Sequence, residues 1–94
     1  MDINELKGRF GERKLSNDTL IQLGYSQETE TINLWKDLQS RIELRWDRGR
    51  NYYYNQDDEY RQRVNIVTIN DLIDLYDKLG ATCDLLNLNW FNLK

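Results

Sequence analysis

Residues 41–80 read RIELRWDRGRNYYYNQDDEYRQRVNIVTINDLIDLYDKLG and carry the clearest strand and helix signals of the chain. Apolar residues first alternate with charged ones, at Ile42, Leu44 and Trp46. This period of two predicts a half-buried strand, and the aromatic run 52–54 predicts a second one. A polar turn follows, and 60–67 returns as a third strand. Three consecutive strands joined by turns predict an antiparallel meander.

A helix follows the meander directly. Its apolar residues recur at the spacing of one helical face and are Ile69, Leu72, Ile73, Tyr76 and Leu79. Thr68 and Asp71 have the spacing of a capping box, and Gly80 is placed to end the helix in the left-handed region. The pattern therefore predicts a capped helix over about 69–79.

The rest of the chain carries weaker signals. Residues 2–10 fit a short helix, 19–25 a strand, and 82–90 a fourth strand in which Leu and Trp alternate with Asn. Residues 28–39 are predicted as a helix, although their threonines and isoleucine fit a strand as well. The expected fold is α+β: an antiparallel meander of three to four strands, with the capped helix packed on one face and one or two N-terminal helices.

Composition limits the chemistry that this chain can perform. It has 94 residues, no His, one Cys, 16 acidic and 13 basic side chains, and a net charge of -3. Without His the commonest general base and metal ligand are missing, and one Cys cannot form an internal disulfide. We expect a single domain over 1–94 that is not an enzyme and holds no cofactor or metal. We expect Cys83 to be a buried thiol.

The expected location is the cytoplasm. The first 14 residues are interrupted by charge every two or three positions, which predicts no secretory signal peptide. No stretch approaches the roughly 18 apolar residues of a membrane span.

The meander is the strongest candidate for a binding surface. Six of the eight arginines lie in residues 41–63, interleaved with Trp46 and the three tyrosines. Such a mixture fits pairing of Arg with neighbouring acids, a protein interface, or stacking on single-stranded nucleic acid. We expect Trp46 to be in the core. Residues 85–93, apolar on both faces, are expected to be a buried strand or an edge strand that forms a homodimer.

The opening residues MDINEL, 1–6, are similar to the Met-x-Ile-Asn-x-Leu start of one of the small anti-CRISPR proteins of phages that infect low-GC bacteria. That inhibitor of a type II RNA-guided nuclease also follows a short helix with antiparallel strands and a helix. The resemblance implies an inhibitor that fills the DNA groove of the nuclease with acidic side chains. A net charge of -3 with eight arginines departs from this pattern, so a local acidic patch would have to imitate the phosphates. A Tyr/Arg interface that blocks a conformational step is the other mechanism.

These observations lead to one functional hypothesis and two alternatives. We expect a non-enzymatic phage or mobile-element protein that binds a host defence protein, such as a CRISPR nuclease, and blocks its activity. The alternatives are a small nucleic-acid-binding regulator that uses the Arg/Tyr-rich meander, and a toxin immunity protein or antitoxin. The predicted contact residues are Tyr52, Tyr53, Tyr54, Asp57, Asp58 and Glu59.

Overall fold

The computed structural model describes residues 1–48, 50–58 and 60–93. Over these residues the fold is α+β, as predicted, with a five-stranded antiparallel sheet in the order β1-β2-β3-β4-β5. The strands are β1 Ser26–Gln27, β2 Leu34–Asp37, β3 Ile42–Asp47, β4 Arg50–Asn55 and β5 Gln62–Val64. The helices are α1 Ile3–Phe10, α2 Asn17–Leu23, α3 Ile69–Lys78 and α4 Thr82–Leu86, followed by a 3₁₀ turn at Trp90–Asn92.

The meander is confirmed, and it is longer than predicted because β1 and β2 precede it. Each strand pairs with the next along the chain, and the register of β3 with β4 sets Leu44 opposite Tyr53 and Arg45 opposite Tyr52. Residues directly opposite in an antiparallel pair lie on the same face of the sheet. Leu44 and Tyr53 therefore share one face, while Arg45 and Tyr52 share the other.

The capped helix is confirmed as α3. The Thr68 side chain accepts the Asp71 backbone N–H, and the Asp71 carboxylate accepts the Thr68 backbone N–H at 3.0 Å. The Asp71 carboxylate also accepts the Val67 backbone N–H at 2.9 Å, and the hydrogen bonds from Val67 and Thr68 lower the pKa of Asp71. Gly80 follows the helix with φ of 67°, the left-handed conformation expected after a helix end.

One hydrophobic core joins the helices to a single face of the sheet. α3 buries Leu72, Ile73 and Tyr76 in the same cluster as Leu34 of β2 and Leu44 of β3. The other helices add their own buried residues, namely Leu6, Phe10, Leu20, Leu23, Leu85 and Trp90. We call the sheet face that contributes to this core the inner face.

The N-terminal region contains two helices. Residues 2–10 form the predicted helix α1, whereas the strand predicted over 19–25 is wrong. Ser16 caps α2 by accepting the Thr19 backbone N–H at 3.2 Å, and Gly24 ends it with φ of 109°. The capping and the burial of Leu20 and Leu23, three residues apart, explain why this segment is helical.

The helix predicted over 28–39 is also wrong, because residues 34–37 form strand β2. In a helix, Ile32, Trp35 and Leu38 would share one buried face, but Ile32 is half exposed and Trp35 lies opposite Arg45, away from the core. Pairing with β3 satisfies the backbone of this segment, so tertiary context decides between two locally acceptable conformations.

The fourth strand predicted over 82–90 is wrong as well. The segment forms α4 and a 3₁₀ turn, and Trp90 is buried with its indole N–H donating to the carbonyl of Leu85 at 2.7 Å. Leu85 and Leu88, at helical spacing, are both buried. The edge strand expected to form a homodimer is therefore not formed. Cys83 is exposed on α4 rather than buried.

Candidate functional site

The second face of the sheet, which we call the outer face, is the candidate site. By register it carries Trp35, Asp37, Glu43, Arg45, Asp47, Arg50, Tyr52, Tyr54 and Arg63. In the described part of the chain the helices pack their apolar residues into the core on the inner face. The outer face is therefore an array of aromatic and charged side chains that no described helix covers.

Arg45 lies at the centre of the outer face, among three carboxylates. Its guanidinium is in ion-pair contact with Glu28, with Asp47 at 3.3 Å and with Glu43 at 3.7 Å. The Arg45 side chain is only 12% exposed. Burial alone would lower the pKa of Arg45, but its hydrogen bond to Glu28 and the charges of Asp47 and Glu28 outweigh burial and raise it. The Glu28 pKa is lowered, mainly by the hydrogen bond from Arg45.

Two of the carboxylates also hold tyrosines. The Tyr52 hydroxyl donates to Asp47 Oδ2 at 2.8 Å, and the Tyr54 hydroxyl donates to Glu43 Oε2 at 2.5 Å. The hydrogen bond to Glu43, followed by burial, raises the pKa of Tyr54 to about 12. Burial and the hydrogen bond to Asp47 raise the pKa of Tyr52 in the same direction. Both side chains are therefore neutral phenols at physiological pH.

Arg61, which precedes β5, lies across this tyrosine pair. The rings of Tyr52 and Tyr54 are stacked with centroids 6.4 Å apart. The Arg61 guanidinium carbon lies 5.1 Å from the Tyr52 centroid and 5.5 Å from that of Tyr54, within the range of cation–π attraction. Nη1 of Arg61 also donates a hydrogen bond to the Tyr52 hydroxyl oxygen at 3.4 Å. The outer face is thus a connected network with aromatic, cationic and anionic groups in fixed positions.

The structure brings together only part of the predicted contact set. Tyr52 and Tyr54 lie on the outer face, whereas Tyr53 points to the inner face and packs against the core. Asp57 and Asp58 lie in the exposed β4–β5 turn. Glu59 lies outside the described residues.

The β4–β5 turn with Asp57 and Asp58, which we call the acidic turn, is held by an ion pair and by local hydrogen bonds. Asp57 forms an ion pair with Arg41 at 2.9 Å, and Asp58 Oδ1 accepts the Tyr60 backbone N–H at 3.1 Å. Asn55 Oδ1 accepts the backbone N–H of Asp57, which closes the turn. Part of the negative charge of this turn is therefore offset by Arg41.

The predicted contact residues omit Glu28, Trp35 and Arg45, although Arg45 was considered as one of the six arginines of the meander. Two of them depend on β1 and β2, which the sequence did not reveal. The signal that was available is the alternation of Glu43, Arg45 and Asp47 along β3, which sets three charges on one face.

The chemical inventory of the described residues is limited. They include no group of three or more His, Cys, Asp or Glu arranged to hold a metal ion, and the three carboxylates around Arg45 hold a guanidinium instead. No helix formed by these residues is long and apolar enough to cross a membrane. Comparison with protein-family models, with curated proteins and with solved structures found no match to this chain.

Proposed function

We propose that this protein is a non-catalytic inhibitor, encoded by a phage or mobile element, that binds a host defence protein in the host cytoplasm through its outer face. A CRISPR RNA-guided nuclease is the partner that we propose first, on the resemblance of residues 1–6 to an anti-CRISPR protein. The observation that supports binding is the network of Arg45, Tyr52 and Tyr54 on a sheet face that no described helix covers.

The residue types on this face suit a protein partner. Tyr, Trp and Arg are the side chains that contribute most often to binding hot spots, because they present large contact areas and directed hydrogen bonds. Here Tyr52 and Tyr54 are half-buried, and their hydroxyls are already held by Asp47 and Glu43. Side chains that are ordered before binding lose little conformational entropy when the complex forms.

The charge distribution favours such an interface over imitation of DNA. Duplex DNA carries one negative charge per roughly 1.7 Å, whereas the outer face alternates acids with arginines. The acidic turn pairs Asp57 with Arg41. Blocking a movement of the nuclease therefore fits the distribution of charge better than filling its DNA groove with negative groups.

The experiment is cleavage of target DNA by a purified type II RNA-guided nuclease in the presence of this protein. Tyr54→Ala removes a ring from the outer face, and Phe91→Ala, at a side chain that is 90% exposed on the 3₁₀ turn, is the matched aromatic control. A central hot-spot residue contributes roughly 2 kcal/mol or more, so we expect Tyr54→Ala to raise the inhibitory concentration about 30-fold. Phe91→Ala should leave it unchanged, and circular dichroism checks that both variants fold.

The predicted acidic contact is tested in the same assay. If Asp57, Asp58 and Glu59 contact the nuclease, changing all three to Ala weakens inhibition while the fold is retained. Unchanged inhibition would remove the acidic turn from the binding surface. No inhibition by the unaltered protein would reject this nuclease as the partner, and full inhibition by Tyr54→Ala would reject the outer face as the surface.

A further inference from the structure

At one end of the outer face lies an open hollow of about 530 Å³, where the β1–β2 and β3–β4 connections meet. We call it the arginine hollow; its lining residues are Asn33, Asp47, Arg48, Arg50, Tyr52 and Arg61. Its volume is within the range of sites that accept small ligands or single side chains. The hollow shares Asp47, Tyr52 and Arg61 with the network, whereas Arg48 and Arg50 line the hollow alone.

The arginine hollow carries an excess of positive charge. Ion pairs between described residues involve Lys7, Arg41 and Arg45, so the exposed Arg48 and Arg50 have no carboxylate at ion-pair distance within the described chain. Asp47 is the carboxylate that lines the hollow, and its oxygens already face the Tyr52 hydroxyl and Arg45. Three guanidinium groups thus remain to attract an anion from outside.

One of these groups is already oriented. Arg61 is held over the Tyr52 and Tyr54 rings and donates one N–H to the Tyr52 hydroxyl. A guanidinium has five N–H donors, so its remaining donors can bind a planar carboxylate with two parallel hydrogen bonds. Because the side chain is restrained before binding, less entropy is lost per hydrogen bond.

The surroundings of the hollow select the kind of anion. Glu28, Asp37 and Glu43 lie on or beside the same face, and the whole chain carries a net charge of -3. An extended phosphate backbone would need a continuous basic path, and here it would meet these carboxylates. A single Asp or Glu side chain, flanked on its own protein by neutral or basic residues, meets the arginines without that repulsion.

We propose that the arginine hollow is the site that receives an acidic side chain of the protein partner. This inference rests on the proposed function, since it assigns the partner chemistry at one end of the same outer face. The hollow fixes the orientation of the complex, because the partner must place its carboxylate among Arg48, Arg50 and Arg61.

The probe is a short peptide with one Glu flanked by glycines and blocked at both ends, which we call the glutamate peptide. Its binding to the intact protein at low salt is followed by NMR of the backbone amide and arginine Nε–H signals of the protein. We expect shifts confined to the hollow. Exposed charge pairs are individually weak, so loss of two arginines in the double variant Arg50→Gln/Arg61→Gln should weaken binding about tenfold. The matched control Lys14→Gln/Lys78→Gln loses the same charge at exposed lysines elsewhere and should bind as the wild type does.

Three outcomes of the probe assay would overturn the inference. These are no binding of the glutamate peptide, an equal loss of affinity in the lysine control, and tighter binding of hexathymidylate than of the glutamate peptide at the same arginines. The last result would assign the hollow to nucleic acid. Because the probe assay contains no nuclease, binding of the glutamate peptide without nuclease inhibition would refute the proposed function alone. Nuclease inhibition unaffected by Arg50→Gln/Arg61→Gln would refute the hollow alone.

Discussion

Replacing Arg45 with Met should destabilise the protein by an amount that depends on pH. The substitution keeps an unbranched side chain but removes the cation that contacts Glu28, Glu43 and Asp47. Removing one member of a fully buried ionic cluster costs about 3–5 kcal/mol, since the remaining charges stay uncompensated. Here the four side chains are only partly buried, with 12% to 35% of their surface exposed, so solvent screens the cluster and we expect about 2 kcal/mol at pH 7. For a domain of this size that corresponds to a fall in Tm of roughly 8–16 °C.

The pH dependence follows from the direction of the pKa shifts. In the wild type, the pKa of Glu28 is lowered, so its stabilising contribution is present above the unfolded pKa and is lost as the pH falls through the folded pKa. In the Arg45→Met variant, Glu28 loses the hydrogen bond and the charge that lower its pKa, and the three carboxylates repel one another. Protonation then relieves the repulsion, so the free-energy difference between variant and wild type should shrink as the pH falls from 7 to about 4.

The measurement is urea unfolding followed by tryptophan fluorescence at both pH values. Arg41→Met is the matched control, because Arg41 and Asp57 form an ion pair in which the side chains are 65% and 62% exposed. Exposed pairs contribute at most about 1 kcal/mol, so this variant should lose little stability at either pH. Equal losses in the two variants, or a deficit of the Arg45 variant that is the same at pH 7 and pH 4, would refute the electrostatic explanation.

Three further sets of substitutions test the core and the helix ends, each by urea unfolding. Thr68→Ala removes the capping box of α3 and should cost about 1 kcal/mol, whereas Thr68→Ser should retain most of it. Gly11→Ala should cost roughly 1–3 kcal/mol, because an added Cβ would lie 2.5 Å from the backbone carbonyl oxygen of Lys7 as well as against the Asn70 side chain; a neutral result would contradict those contacts. The hydroxyls of Tyr25 and Tyr76 are buried 2.8 Å apart, so either single change to Phe leaves one without that partner and should cost about 1–3 kcal/mol. The double Phe variant should lose less unfolding free energy than the two single variants together. Simple additivity would show that the hydroxyls are not coupled.

The elements predicted correctly are those with strong local signals. α3 has a cap, an apolar face and a terminating glycine within residues 68–80, and β3 alternates cleanly over six residues. In both, local geometry and burial select the same conformation, so no distant contact is needed to identify the element.

The elements predicted wrongly are those in which two periods fit equally well. The C-terminal segment alternates at Leu86, Leu88 and Trp90 but also has helical spacing at Leu85 and Leu88. The helical pair is buried, whereas Leu86 remains partly exposed, so packing against the core decided between the two. The periodicity of a single sequence does not show which of the two sets of residues packs against the core.

The candidate site was predictable only in part for the same reason. Pairing of arginines with acids was one expectation for the meander, and Arg45 does pair with Glu43 and Asp47. Its contact with Glu28, however, requires β1 to lie beside β2, and residues 28–39 were expected to be helical. The membership of the site therefore depends on the sheet order, which is a tertiary property.

The two faces of the sheet contribute differently to the molecule, and a single residue of register separates them. Leu44 and Tyr53 hold the inner face in the core, whereas Arg45 and Tyr52, the adjacent pair, belong to the network on the outer face. Apolar burial on the inner face supplies most of the folding free energy, so the outer face does not need apolar residues for stability. Its ion pairs and hydrogen bonds instead restrain the rings and guanidinium groups that a partner would contact. If β3 slipped by one residue, its charged side chains would turn towards the core and its apolar side chains towards solvent. The core on the inner face therefore also fixes the arrangement of the outer face.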